Sequence, residues 1–194
     1  MIRTSIQSTL NRESKSERAA VMDRMRRWIV VTTVAIPVIQ AVDILARFLT
    51  ERGWIFGFVF VLGAPVWLLN FALLAWMARG MLSATSAFAE AKQFTRVGIL
   101  LLLWVYALGS TLFCWFAEDG DAFRTWQSPA GRLLGVDGSG GHSPQYLQYA
   151  QGFGMAGLAL GFLALVAAGS VYATIGVRVP VPTPARPAPR SVLD

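Results

Sequence analysis

Residues 150–176, AQGFGMAGLALGFLALVAAGSVYATIG, contain no charged side chain over 27 consecutive positions. A helix of that length rises roughly 40 Å, which exceeds the hydrocarbon thickness of a bilayer, about 30 Å. The stretch therefore predicts a membrane-spanning helix. Three further apolar runs, over 28–49, 54–77 and 97–117, predict the same. We expect an all-α membrane protein with four transmembrane helices in an antiparallel bundle.

The composition supports this class of protein. Of the 194 residues, 55% are hydrophobic and 14% are charged, whereas soluble domains carry about 25% charged residues. A single cysteine, Cys114, excludes an internal disulfide and a thiolate metal site of the usual kind. Arginine outnumbers lysine by 15 to 2, and alanine and glycine are plentiful, which is typical of bacteria with GC-rich genomes.

Basic residues are divided unevenly between the two sides of the predicted spans. Thirteen lie in 1–27, in the 78–96 connection and in 178–194, and four lie on the other side. Because basic residues are retained in the cytoplasm, both termini are predicted to lie there, at a bacterial inner membrane. The predicted organisation is a basic, helical cytoplasmic segment 1–27, a four-helix domain 28–177 with an outer loop 118–149, and a proline-rich cytoplasmic tail 178–194.

The last predicted span carries a continuous row of small residues. They recur at alternating spacings of four and three, so they share one helix face. The row consists of Ala150, Gly154, Gly157, Gly161, Ala164 and Ala168. Small residues let two helix backbones approach closely in lipid, and Gly157 and Gly161 have the spacing of the helix-association motif. We predict that this row is a helix-packing surface.

One acidic residue, Asp43, lies well inside a predicted span. It precedes Arg47 by four residues, so the two share a helix face. We predict an ion pair near the membrane surface, with the Arg47 side chain extending outward. The alternative is a proton or cation relay through Asp43, although such relays usually involve several acidic or histidine residues.

Two amide side chains complete the polar set. Gln40 lies near the middle of the first span, at a depth similar to that of Pro65 in the second. Proline at this position frees the carbonyl of Val61, to which we expect Gln40 to donate. Asn70 lies about 8 Å further along the membrane normal and is predicted to form an interhelical polar contact. These staggered depths favour hydrogen bonds that hold helices together over a substrate pocket.

The single histidine, His142, precedes Ser143 and Pro144, which suit the cap and the first position of a helix. We interpret it as a loop residue. The alternative is a loose metal or proton site formed with acidic residues of the same loop, Glu118, Asp119, Asp121 and Asp137. No catalytic motif or metal-ligand spacing occurs, so we expect no catalytic residue, metal or cofactor. Ser128 before Pro129 predicts a short helix in this loop.

These observations favour a non-catalytic accessory or interaction subunit that packs through the small-residue face of the last helix. Its partners would be the lipid bilayer and another membrane protein or a second copy of the chain, with no nucleic acid. The first alternative is a small transporter or channel that uses Gln40 and Asp43. The second is an enzyme of the outer surface that uses His142 and the loop acids.

Overall fold

The computed structural model describes residues 2–50, 57, 61–83, 85–118, 128–135 and 144–178. No strand lies in these ranges. The helices are α1 (Ile2–Thr50), α2 (Ala64–Leu82), α3 (Ala87–Glu90), α4 (Gln93–Phe116), α5 (Pro129–Leu133) and α6 (Pro144–Arg178). Four stretches are long and apolar enough to span a membrane: Ala20–Leu49, Ala64–Leu82, Gln93–Phe116 and Gln148–Gly176. The prediction of an all-helical protein with four such helices is therefore confirmed.

The second span, predicted over 54–77, is described only in part, because residues 51–56 and 58–60 lie outside the described residues. Helix α2 begins at Ala64 and continues to Leu82, with Gly63 as its N-cap residue and Pro65 in its first turn. Proline is well placed there, because a backbone N–H in the first turn has no helical partner to lose. Pro65 thus starts a helix instead of kinking one. The expected bond from Gln40 to Val61 is not made, since Nε2 of Gln40 has no hydrogen-bond partner.

Helices α4 and α6 meet through glycine. A Cβ atom added to Gly157 would lie 2.8 Å from the carbonyl oxygen of Gly109, and one added to Gly109 would lie 2.8 Å from Cα of Gly161. Towards the end of α4, a Cβ on Gly154 would lie 2.9 Å from the backbone nitrogen of Ala117. At such distances no side chain fits between the two backbones, and only glycine permits the approach.

The predicted packing face of the last span is buried along its whole length. All six small residues are buried: Ala150, Gly154, Gly157, Gly161, Ala164 and Ala168. The three glycines of this row pack against α4, and its last two alanines belong to the central apolar cluster. The face is therefore occupied within the molecule and is not open to another protein.

The apolar cluster holds the spans together at the end of the bundle where α4 begins. It joins Ile29 of α1, Met77 of α2, Ile99 of α4 and Leu165 of α6. Phe88 of α3 belongs to the same cluster and is 2% exposed. Burying large apolar side chains between helices gains dispersion contacts, which drive association where lipid is as apolar as leucine.

Helix α5 follows its predicted cap. The Ser128 hydroxyl accepts a hydrogen bond from the backbone nitrogen of Gly131 at 3.1 Å, and Pro129 occupies the first turn. The same hydroxyl lies 3.0 Å from the hydroxyl of Tyr146, which ties α5 to the start of α6. This short helix therefore rests on the bundle at the end where α4 finishes.

Gly109→Ala tests the close approach of α4 and α6. The added methyl group meets the backbone of α6, so we expect a loss of about 1–3 kcal/mol in the free energy of unfolding, as overpacking typically causes. The matched control is Gly98→Ala in the same helix, where nothing lies within 4 Å of the added Cβ. That change should be neutral or stabilising by up to about 1 kcal/mol. Thermal unfolding in detergent, followed by circular dichroism, compares them; equal stabilities would contradict the packing described.

Candidate functional site

Polar side chains occupy the buried face of α1. Its buried positions recur at spacings of three and four residues, as one helical face requires. They are Ile29, Thr32, Ile36, Gln40, Asp43 and Arg47. Four of these six are polar or charged, and all four are matched by groups on α4. We call this set of contacts the α1–α4 ladder.

The first half of the ladder uses neutral groups. Nε1 of Trp104 donates to the hydroxyl oxygen of Thr32 at 3.1 Å, and the hydroxyl of Tyr106 donates to Oε1 of Gln40 at 3.1 Å. Thr32 and Gln40 are almost completely buried. Each bond replaces one that water would make, because lipid offers the side chain no partner.

The second half of the ladder surrounds a carboxylate. Asp43 is 4% exposed, and its two oxygens accept separate hydrogen bonds: Thr111 Oγ1 donates to Oδ2 at 2.7 Å, and Trp115 Nε1 donates to Oδ1 at 3.0 Å. An indole N–H only donates, so Oδ1 acts as an acceptor here. Each oxygen of the Asp43 side chain is therefore held by a donor of α4.

Arg47 lies one helical turn further along α1 and is 3% exposed. Its Nη1 donates to the backbone carbonyl of Cys114 at 3.4 Å. The side chain is thus directed onto α4, which differs from the expected outward extension to the membrane surface. Among the described residues no ion pair within 4.0 Å joins Arg47 to Asp43, and both instead bind α4.

This geometry bears on the relay hypothesis for Asp43. A proton relay passes protons along hydrogen bonds between groups that both donate and accept, and the indole N–H of Trp115 only donates. Here both carboxylate oxygens are already engaged, and a permanently charged guanidinium lies one turn away. Asp43 is therefore better suited to holding α1 on α4 than to carrying protons.

A cleft lies on the opposite face of α4, between that helix, α2 and α6. Its volume is about 210 Å³. Much of its wall is aromatic, contributed by Trp67, Phe113 and Phe162. Three polar residues also line it, namely Asn70, Tyr106 and Ser110. Tyr106 is about 15 Å from the end of α4 at Phe116, which is near the middle of a bilayer core.

The polar groups of this cleft are incompletely paired. Asn70 is half-buried, and its predicted interhelical hydrogen bond is not found among the described residues. Behind the cleft wall, Gln40 accepts from Tyr106 while its own Nε2 remains buried without a partner. From the sequence, the different depths of Gln40 and Asn70 along the membrane normal argue against a shared site. The cleft connects them, because Tyr106 lines it beside Asn70 and binds Gln40 on its other side.

The remaining candidates are not assembled into a site. His142 and three of the loop acids, Asp119, Asp121 and Asp137, lie outside the described residues, and only Glu118 lies within them. Among the residues that the structure does describe, no group of three or more histidine, cysteine or acidic side chains is arranged to hold a metal ion. Within the membrane-spanning part, the described residues form two polar features, the ladder and the cleft.

Sequence reasoning missed the residues of α4 that complete both features. Trp104, Thr111 and Trp115 recur at spacings of seven and four, which places them on one face. Tyr106 and Ser110 are four residues apart on another face. The available signal was the side-chain N–H or O–H group of each residue, since such a group inside lipid requires a partner.

Trp115→Phe tests the ladder. The change removes the indole N–H that binds Asp43 and leaves Oδ1 without that donor, so we expect a loss of about 1–2 kcal/mol in the free energy of unfolding. Trp28→Phe is the matched control, because Trp28 is exposed and has no hydrogen bond among the described contacts. Its effect should stay within about 0.5 kcal/mol. Thermal unfolding in detergent measures both variants, and equal losses would exclude a stabilising Trp115–Asp43 bond.

Known proteins offer no guide to the use of these features. No protein-family model, no curated protein and no solved structure matches this chain. A function therefore has to be inferred from the chain's own side chains.

Proposed function

We propose that the protein binds a small neutral molecule within the membrane, in the cleft between α2, α4 and α6, and acts as a small transporter or carrier. The observation that carries the proposal is the set of incompletely paired polar groups in an apolar cleft. Ligand sites typically combine mostly apolar walls with a few polar groups that orient the bound molecule. Among the described residues no hydrogen bond of the Asn70 side chain is found in the cleft, and behind the cleft wall Nε2 of Gln40 is buried without a partner.

The chemistry of the cleft indicates the kind of molecule. Its volume of about 210 Å³ equals that of roughly seven liquid water molecules, which suits a small organic compound. The aromatic wall favours a flat or apolar body. A neutral compound is expected because the charged pair, Asp43 and Arg47, is engaged on the other face of α4 and cannot compensate a charge in the cleft.

The pairing of Tyr106 with Gln40 sets which hydrogen bonds the ligand makes. Because the phenol donates to Oε1 of Gln40, its oxygen keeps lone pairs that accept from a ligand N–H or O–H. Rotation of the amide by half a turn would let Nε2 donate to the phenol instead, and the phenol proton would then be free for a ligand acceptor. The amide of Asn70 both donates and accepts. A ligand with one hydroxyl, amide or carbonyl group therefore fits.

Binding without chemical conversion fits these groups best. The polar residues of the cleft supply an amide, a phenol and an aliphatic hydroxyl. None of them contacts a histidine or an acidic side chain among the described residues, as general acid–base or nucleophilic catalysis requires. We therefore propose a non-enzymatic role.

The membrane arrangement that we propose is an antiparallel bundle with both termini in the cytoplasm of a bacterium. The order of contacts supports it. Along α1 and α4 the residue numbers of the contact pairs increase together, so these two helices run in the same direction, as alternate spans of an antiparallel bundle do. Along α4 and α6 the numbers change in opposite directions, since Ala117 lies beside Gly154 and Tyr106 beside Gly161. The excess of basic residues on one side supports the orientation.

An interaction subunit remains a second candidate, but it requires a different surface from the predicted one. The opposite face of α6 exposes Gly152, Ala156 and Ala159, and nothing lies within 4 Å of a Cβ added to Gly152. Another membrane helix, from a different protein or from a second copy, would approach closely there.

Asn70→Leu tests ligand binding in the cleft. The full-length protein in detergent is screened against neutral compounds that carry one or two hydrogen-bonding groups, with the melting temperature as the readout. Compounds that stabilise the native protein should give no shift in the variant, because leucine fills the cleft and removes its amide. Thr33→Val, a change on α1 away from the cleft, is the control and should retain the shift. The proposal would be rejected if the Asn70→Leu variant kept the full shift in melting temperature, or if no compound stabilised the native protein.

Gly152→Leu tests the second candidate. The tagged protein is extracted gently from its native membrane, and co-eluting proteins and oligomeric size are measured. If the exposed small face of α6 binds a partner, leucine at position 152 should remove that partner while the monomer stays folded. Gly157→Leu is the contrasting variant, since it clashes with α4 and should destabilise the bundle itself. An unchanged elution profile for Gly152→Leu would rule this face out.

A further inference from the structure

A third polar feature lies at the end of the bundle where α4 begins, away from the cleft. Three arginines, Arg24, Arg26 and Arg27, directly precede the apolar part of α1, and Lys92 and Arg96 directly precede that of α4. Basic side chains at the start of an apolar span lie at the level of the lipid headgroups. We call these five residues the basic end.

The two halves of the basic end lie side by side. Thr32 of α1 is hydrogen-bonded to Trp104 of α4, and stepping back eight residues on each helix reaches Arg24 and Arg96. Close to this level, Ile29 of α1 and Ile99 of α4 belong to the same buried cluster. Positive charges from two neighbouring helices are therefore concentrated at one depth.

Little negative charge compensates them. Asp23 forms an ion pair with Arg27, whose side chain is exposed. For Arg24, Arg26 and Lys92, no ion pair or side-chain hydrogen bond is found among the described residues. Nε of Arg96 is buried from solvent and has no hydrogen-bond partner. The Arg96 side chain as a whole is only partly buried, so an anion that reaches its guanidinium would supply a missing acceptor.

The start of α4 adds further donors. Its N-cap residue, Lys92, makes no side-chain capping bond. The backbone N–H groups of the first turn, at Gln93, Phe94 and Thr95, therefore lack a side-chain cap, and they form the positive end of the helix dipole. Free N–H groups together with basic side chains form a typical phosphate-binding arrangement.

We propose that the basic end binds the phosphate of an anionic phospholipid. The choice of a lipid over a soluble phosphate rests on the apolar surroundings of these donors. Trp28 is 54% exposed and Phe94 is 89% exposed, so both present apolar surface beside the charges, where glycerol and acyl chains of a bound lipid would lie. Basic sites between transmembrane helices recognise lipid headgroups in this way.

The test compares two lipids on the full-length protein by native mass spectrometry in detergent. Phosphatidylglycerol should bind more tightly than phosphatidylcholine with the same acyl chains. Arg96→Gln should weaken phosphatidylglycerol binding about fivefold, because a basic residue near the surface contributes about 1 kcal/mol. Arg132→Gln, which removes the same charge from α5 near the other end of α4, is the control and should bind as the native protein does.

Three outcomes would overturn the proposal. The first is equal affinity for the two lipids, and the second is unchanged affinity in Arg96→Gln. The third is displacement of bound phosphatidylglycerol by millimolar inorganic phosphate, which would assign the site to a soluble anion. If the Arg96→Gln variant does not fold, the Lys92→Gln variant, which changes an exposed side chain, is used in its place. Unchanged phosphatidylglycerol binding in that variant would also overturn the proposal.

Discussion

The contact of Gly109 with Gly157 and Gly161 is the constraint on which the other spans depend. Lipid gives two helices no hydrophobic reason to associate, so close packing and hydrogen bonds must hold them together. Glycine on both sides brings the backbones of α4 and α6 within direct contact, where no larger residue fits. Helix α4 is thereby fixed at the centre of the molecule. Helix α1 packs on one of its remaining faces, and the cleft opens on the other.

The two polar faces of α4 differ in how completely they are paired. Towards α1, Trp104, Thr111 and Trp115 each donate to a buried partner. Towards the cleft, Asn70 has no partner among the described residues and Tyr106 retains accepting capacity. An unpaired polar group away from water is unfavourable by several kcal/mol in hydrocarbon. Apart from Nε2 of Gln40, the contacts towards α1 are explained by stability alone, and the incomplete pairing at the cleft is the observation that supports the proposed ligand.

Much of this architecture follows from the sequence, and the reasons for the failures are physical. The spans are predictable because a bilayer demands about 20 apolar residues in each helix. The small residues of the last span indicate a packing face, but their spacing does not say which helix covers it. The partner depends on Gly109, a single glycine in α4 that forms no such row. Pro65 was predicted to lie inside the second span but lies in the first turn of α2, because proline occurs both at kinks within a helix and in its first turn.

The sequence analysis singles out Gln40, Asp43 and Arg47 by their position in an apolar span. It does not identify Thr32 or the partners on α4, because depth along the membrane normal does not reveal which helix is adjacent. Once α4 is adjacent, the ladder also fixes the register of α1. A slide of one helical turn would move Asp43 away from Thr111 or from Trp115, and the carboxyl would lose one of its two donors in an apolar region, which is unfavourable. The same register keeps Gln40 against Tyr106. The charged end of the ladder thus helps to hold the phenol of Tyr106 in its orientation at the cleft wall.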